Sequence, residues 1–177
     1  MKEKKGVSDM SKSKSKLSIV IALTALLVII FALVFPGVCL ESQTMNPKDY
    51  TYIFGFTSIF GGTIVPKGSN LNCILAFNVG SFIALLLVLI AALLILIFDK
   101  QISSYVIGSI LFIVSLVLFI FNERFVIETN GNIQGFSAYL YTGFGTYVSI
   151  GICSIGIIAC LAGAYIIKAD RSRHHHR

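Results

Sequence analysis

The residues best able to do chemistry in this 177-residue chain are few and poorly placed for it. Its three histidines stand together as His174-His175-His176 in a short tail. A metal site needs ligands fixed around the ion, and a run of imidazoles in a tail has no such geometry, so a solvated tail is the plainer reading. Four cysteines fall at 39, 73, 153 and 160. Cys153 and Cys160 would lie about 10 Å apart along a helix, too far to bond to one another, and read as small packing residues. Cys39 and Cys73 bracket a loop where an oxidising milieu could join them, which makes them a candidate disulfide. The acids Glu41, Asp49, Glu123 and Glu128 have no histidine near them in sequence and no Ser-His or Cys-His pair beside them. No glycine-rich phosphate loop, metal-spaced cluster or dense carboxylate pair occurs. The expectation is a chain that is not an enzyme and takes no cofactor.

The elements that would hold these residues are set by composition. Hydrophobic residues make up 56% of the chain and charged ones 12%, with a mean hydropathy of +0.88. A soluble domain carries about 25% charged residues, and no core of this size hides so much apolar surface. Disorder and disulfide-rich secreted scaffolds are excluded on the same figures. Lipid must therefore be the solvent for much of the chain.

Crossing the hydrocarbon takes about 20 apolar residues. Four stretches qualify: 17–36, 71–98, 102–121 and 143–167. Barrel strands are shorter and alternate in polarity, so the stretches read as helices. None contains Asp, Glu, Lys, Arg or His. Ion-coupled transporters, pumps and voltage sensors need such groups at depth, which sets those classes aside. Asn78 is the most polar group in the spans and is expected to make an interhelical hydrogen bond.

Only residues 99–101 separate the second and third spans, a tight antiparallel hairpin. Longer connections at 37–70 and 122–142 then share one side of the membrane. Tails 1–16 and 168–177, with the hairpin, hold eleven of the fourteen Lys and Arg residues. The opposite side has only Lys48, Lys67 and Arg124. The positive-inside rule places both tails in the cytoplasm and both long loops outside, in a multi-pass protein of the cell membrane. Cleavage after the first span is not expected, because the stretch exceeds a usual signal core and no A-x-A-like site follows. Lipidation at Pro36-Gly37-Val38-Cys39 is also not expected, since Val38 is too large for such a site.

Without a hydrophobic drive between helices in lipid, close packing of small residues must supply association. The last span carries Thr142, Thr146, Ser149, Cys153, Gly156, Cys160 and Gly163 at alternating steps of four and three. Sparser versions are Ser18, Ala22, Ala25 and Ala32 in the first span, Cys73, Gly80, Ala84 and Ala91 in the second, and Ser104, Gly108 and Ser115 in the third. A shared heptad period predicts an all-α, left-handed four-helix transmembrane bundle.

Outside it, Tyr50–Thr57 and Thr63–Val65 flank Gly61-Gly62, and Phe125–Thr129 and Asn132–Gln134 flank Asn130-Gly131. Both read as β-hairpins that would build a small extracellular sheet. Their aromatics also suit an interfacial belt or a docking surface. On the inner side, Lys12, Lys14 and Lys16 alternate with serines, and such a juxtamembrane run attracts anionic lipid at about 1 kcal/mol per charge. No folded basic surface accompanies it, so nucleic acid is not an expected partner.

Four spans, cytoplasmic termini, a larger first and smaller second outer loop and external β-structure resemble the claudin-like tetraspan proteins in plan, over the whole chain. The chain departs from them in having no tryptophan and in cysteines that flank the first loop. The Lys-, Ile- and Asn-rich style and Gly143-Phe144-Gly145-Thr146-Tyr147 look like small tetraspan proteins of low-GC bacteria. Neither resemblance transfers a functional residue. The expected function is non-catalytic association, as a subunit, scaffold or adhesion protein with a membrane-protein partner or in a homo-oligomer. The alternative is an oligomeric pore or facilitator for small solutes, for which Asn78, Ser81, Ser104, Thr142, Thr146 and Ser149 are the only polar candidates.

Overall fold

The computed structural model describes residues 3–41, 50–65, 73–121, 126–129 and 140–175. Four long helices dominate: α1 (Glu3–Val34), α3 (Val79–Ile97), α4 (Ile102–Ile120) and α5 (Phe144–His175). Each contains a segment long and apolar enough to cross a membrane, at Lys16–Val34, Val79–Ile97, Ile102–Ile120 and Phe144–Ser172. The chain thus fits a multi-pass membrane protein.

Local chemistry explains where the helices stop. Before Pro36 the backbone is driven out of the α region, and α1 ends at Val34. The second span was expected from 71, but α3 starts only at Val79. Asn78 is its N-cap: the side-chain Oδ1 accepts from the Ser81 backbone N–H at 3.1 Å. This corrects the interhelical role expected of Asn78, because an asparagine ahead of an apolar run satisfies orphan helix donors better than it serves mid-membrane. The α3–α4 turn is closed by Ser104, whose Oγ lies 2.7 Å from both the Phe98 and Gln101 carbonyl oxygens.

Among the described residues, six short strands and a small helix run between the long helices. They are β1 (Pro36–Glu41), β2 (Tyr50–Phe54), α2 (Gly55–Phe60), β3 (Gly62–Ile64), β4 (Cys73–Leu75), β5 (Val126–Thr129) and β6 (Leu140–Thr142). They form two antiparallel three-stranded sheets, ordered β2-β1-β6 and β3-β4-β5. The expected hairpin about Gly61-Gly62 does not form. Residues 55–60 coil into α2, so β2 pairs with β1 and β3 pairs with β4. Gly61 ends α2 with φ of 81°, a backbone that glycine adopts without steric cost. In the second loop, Val126–Thr129 is a strand, but it pairs with β4. The Asn130-Gly131 turn and residues 132–134 lie outside the described residues. Each sheet therefore joins two strands of the first loop to one of the second.

Candidate functional site

With charged residues of the spans confined to their ends, at Lys16 and at Lys168, Asp170 and Arg171, the sites this sequence can build are its helix–helix seams and its sheet faces. A three-and-four register of buried positions runs along each helix, with further buried residues such as Thr24, Leu85, Ala92, Ser104 and Ser109 beside it. In α1 it passes through Ser18, Ile21, Ala25, Val28 and Ala32; in α4, through Tyr105, Gly108, Phe112, Ser115 and Phe119. In α3 the register passes through Ser81, Ala84, Val88, Ala91 and Ile95. In α5 it passes through Thr146, Ser149, Cys153, Gly156, Cys160, Gly163 and Ile167.

Large side chains on one helix sit over small ones on the next. A Cβ at Gly156 would lie 2.7 Å from the Phe112 ring, and one at Gly163 would strike the Tyr105 ring. A Cβ at Gly108 would lie 2.6 Å from the Ile95 side chain and 3.7 Å from the Cys160 Sγ. Residue numbers rise on α5 as they fall on α4, so these two helices run antiparallel. The pairs Ile95–Gly108 and Ala84–Ser115 show the same for α3 and α4, and Leu17–Gly163 with Val28–Ser149 for α1 and α5. α1 also packs against α3.

Hydroxyls reinforce the seams by bonding backbone. Ser115 Oγ donates to the Ala84 carbonyl at 3.0 Å, from α4 to α3. Ser149 Oγ lies 2.8 Å from the Gly145 carbonyl of its own helix and 3.4 Å from that of Val28 on α1. Thr146 Oγ1 donates to the Gly37 carbonyl at 3.1 Å. Cys153 lies beside the Ser115 hydroxyl.

Of the packing residues expected from spacing, Ser149, Cys153, Gly156, Cys160, Gly163, Ala84 and Gly108 all lie in this interior. Gly80 is half-buried, one position off the α3 register, which runs through Ser81 instead. Ala22 is likewise half-buried, and Thr142 belongs to β6 rather than to the helix. Lys16 is exposed, whereas the side chains of Lys12 and Lys14 lie outside the described residues. Cys39 stands in β1 of one sheet and Cys73 in β4 of the other. The Cys73 side chain is outside the described residues, and with it the proposed pairing.

Spacing missed a second cluster of close approaches, where β1, α2 and α5 meet the end of α1. A Cβ at Gly55 would strike the Ala32 carbonyl, and one at Gly143 the Pro36 carbonyl. One at Gly145 would lie 2.6 Å from the Phe31 carbonyl oxygen. These glycines belong to short motifs where a strand gives way to a helix, Phe-Gly-Phe and Gly-Phe-Gly, in which no period exists to reveal them.

The first sheet has two distinct rows. Val38 pairs with Ile53 and with Thr142, and Val38 and Ile53 are buried. Cys39 pairs with Tyr52 and with Tyr141, and directly opposed residues share a face. Tyr52 is 60% exposed and Tyr141 49%. One face thus covers the helix ends and the other presents two tyrosines.

Among the described residues, no three His, Cys, Asp or Glu side chains come close enough to hold a metal ion. No protein-family model matches the chain, and no curated protein matches it.

Proposed function

We propose that the chain is a multi-pass protein of the cell membrane with both termini cytoplasmic, whose four spans form one left-handed bundle that acts by association, without catalysis. Left-handed winding is supported by the three-and-four spacing of buried residues on all four helices, since that period is shorter than the 3.6-residue turn. In this orientation the sheets are external and resemble the claudin-like plan, while the basic tail around Lys12, Lys14 and Lys16 meets anionic lipid on the inner side.

The observation that carries the association reading is the Tyr52–Cys39–Tyr141 row. Tyrosine offers a large apolar ring and a polar tip, the combination enriched where proteins bind proteins. A membrane-protein partner or a second copy is the fitting occupant of such a face. The pore alternative draws less support. Ser115, Ser149 and Thr146 spend their hydroxyls on backbone carbonyls, and Phe112, Val88 and Ile95 are fully buried among the helices.

The test replaces Tyr52→Ser and Tyr141→Ser together in the full chain. The expected result is loss of the co-purifying partner, or of self-assembly, with thermal stability retained. Assembly that survives both substitutions counts against the reading.

A further inference from the structure

The first loop contains a segment at membrane depth. Gly55, the first residue of α2, packs directly on the Ala32 carbonyl, and its N–H donates to the Phe35 carbonyl at 2.9 Å. Ala32 lies inside the apolar span Lys16–Val34. At the other end of α2, the Ile59 carbonyl accepts from the Asn78 N–H at 2.7 Å, which ties the helix to the start of α3. Ile59 itself is buried in the interior of the helices. α2 is thus wedged between the ends of two spans, level with the last turn of α1 and the first turn of α3.

Its outward side is aromatic. Phe54 is 63% exposed, Phe56 59% and Phe77 47%. Phe60 bridges Phe56 and Phe77, with ring centroids 4.7 Å from Phe56 and 6.2 Å from Phe77, and Phe77 lies 5.3 Å from Phe82 of α3. The patch runs without a break onto the outward face of α3, where Val79 and Ile83 are exposed. Residues 50–65 contain no charge. Water would meet a contiguous group of phenylalanines here, which soluble surfaces avoid, whereas the interface of a bilayer takes aromatic rings readily.

We infer that α2 and the phenylalanines against it form a lipid-binding wedge, with Phe56, Phe60 and Phe77 seated in the acyl region of the leaflet on the sheet side. The occupant is lipid hydrocarbon because the patch continues the lipid-facing surface of α3 and sits below the end of α1. The first loop is then divided: α2 belongs to the membrane, and the tyrosine row belongs to the first sheet.

The absence of tryptophan from the chain gives a clean assay. Phe56→Trp and, separately, Phe77→Trp are made in the full chain and reconstituted into phosphatidylcholine vesicles, with Ile83→Trp as the lipid-facing reference. Vesicles carry lipids brominated on the acyl chains, and iodide is added to the outside in parallel. The wedge predicts blue-shifted emission at 56 and 77, loss of intensity with brominated lipid comparable to that at 83, and little loss with iodide. Strong iodide quenching without lipid quenching would place the patch in water and overturn the inference. Quenching by neither would show a protein-covered patch and overturn it equally. Two positions on separate elements guard against one variant failing to fold. The tyrosine-row test is independent of both.

Discussion

Replacing Gly156 by alanine adds one methyl group to a tight part of the α4–α5 seam. The new Cβ would stand 2.7, 2.9 and 3.0 Å from three carbons of the Phe112 ring. Carbon atoms pack comfortably at about 3.5–4.0 Å, so the helices must part by roughly 1 Å or the ring must swing aside. Phe112 is fully buried and has little room to swing. Overpacking of this kind costs about 1–3 kcal/mol. Alanine also favours the helix over glycine by about 1 kcal/mol, which would mask part of the loss. Gly151 provides the control, because it lies on the same helix and a Cβ there meets nothing within 4 Å. The propensity gain is common to both variants, so their difference isolates the clash, about 5- to 150-fold in the unfolding constant. The assay is reversible unfolding in mixed micelles on added denaturing detergent, followed by circular dichroism. Phe112→Leu should recover part of the loss in the Gly156→Ala background, as a double-mutant cycle reads for residues in contact. Equal stability of Gly151→Ala and Gly156→Ala, or strict additivity with Phe112→Leu, would refute the packing scheme.

Other substitutions probe separate contacts. Ser115→Ala removes the hydroxyl bonded to the Ala84 carbonyl and should cost about 0.6 kcal/mol and at most about 1.7 in the same unfolding assay. Tyr105 is buried and its hydroxyl has no hydrogen-bond partner among the described residues. Tyr105→Phe should therefore leave stability unchanged or raise it by about 1 kcal/mol, and a clear loss would show that the hydroxyl is used. Asn78→Ala removes the α3 cap and should destabilise by about 1 kcal/mol, with amide exchange rising first at Ser81.

The spans were legible because a membrane helix needs only length and apolarity, and Leu17–Val34 or Ile102–Ile120 satisfies both without tertiary help. The α5 stripe was legible for a related reason. Its small residues repeat with the helix period, so Ser149, Cys153, Gly156, Cys160 and Gly163 point to one face before any neighbour is known. Pairing was not legible in the same way. Tyr50–Phe54 and Gly62–Ile64 both look like strands, but they do not pair with each other: β2 pairs with β1 and β3 with β4, and β1 and β4 in turn take β6 and β5 from the second loop. Six residues between them, Gly55–Phe60, could pass for a strand by composition, and only their packing against Ala32 and Asn78 makes them a helix. Asn78 looked like a membrane polar group because the apolar run continues on both sides of it. Its role as a cap depends on where the helix starts, which β4 decides by taking Cys73–Leu75 into a sheet.

The most direct measurement of the association account is the native mass of the protein extracted from its own membrane under mild solubilisation, with identification of whatever accompanies it. The account predicts a particle larger than one 19.3 kDa chain after lipid is subtracted, containing either a stoichiometric membrane-protein partner or further copies of this chain. A single chain surrounded only by lipid, at every solubilisation strength that preserves the fold, would contradict it.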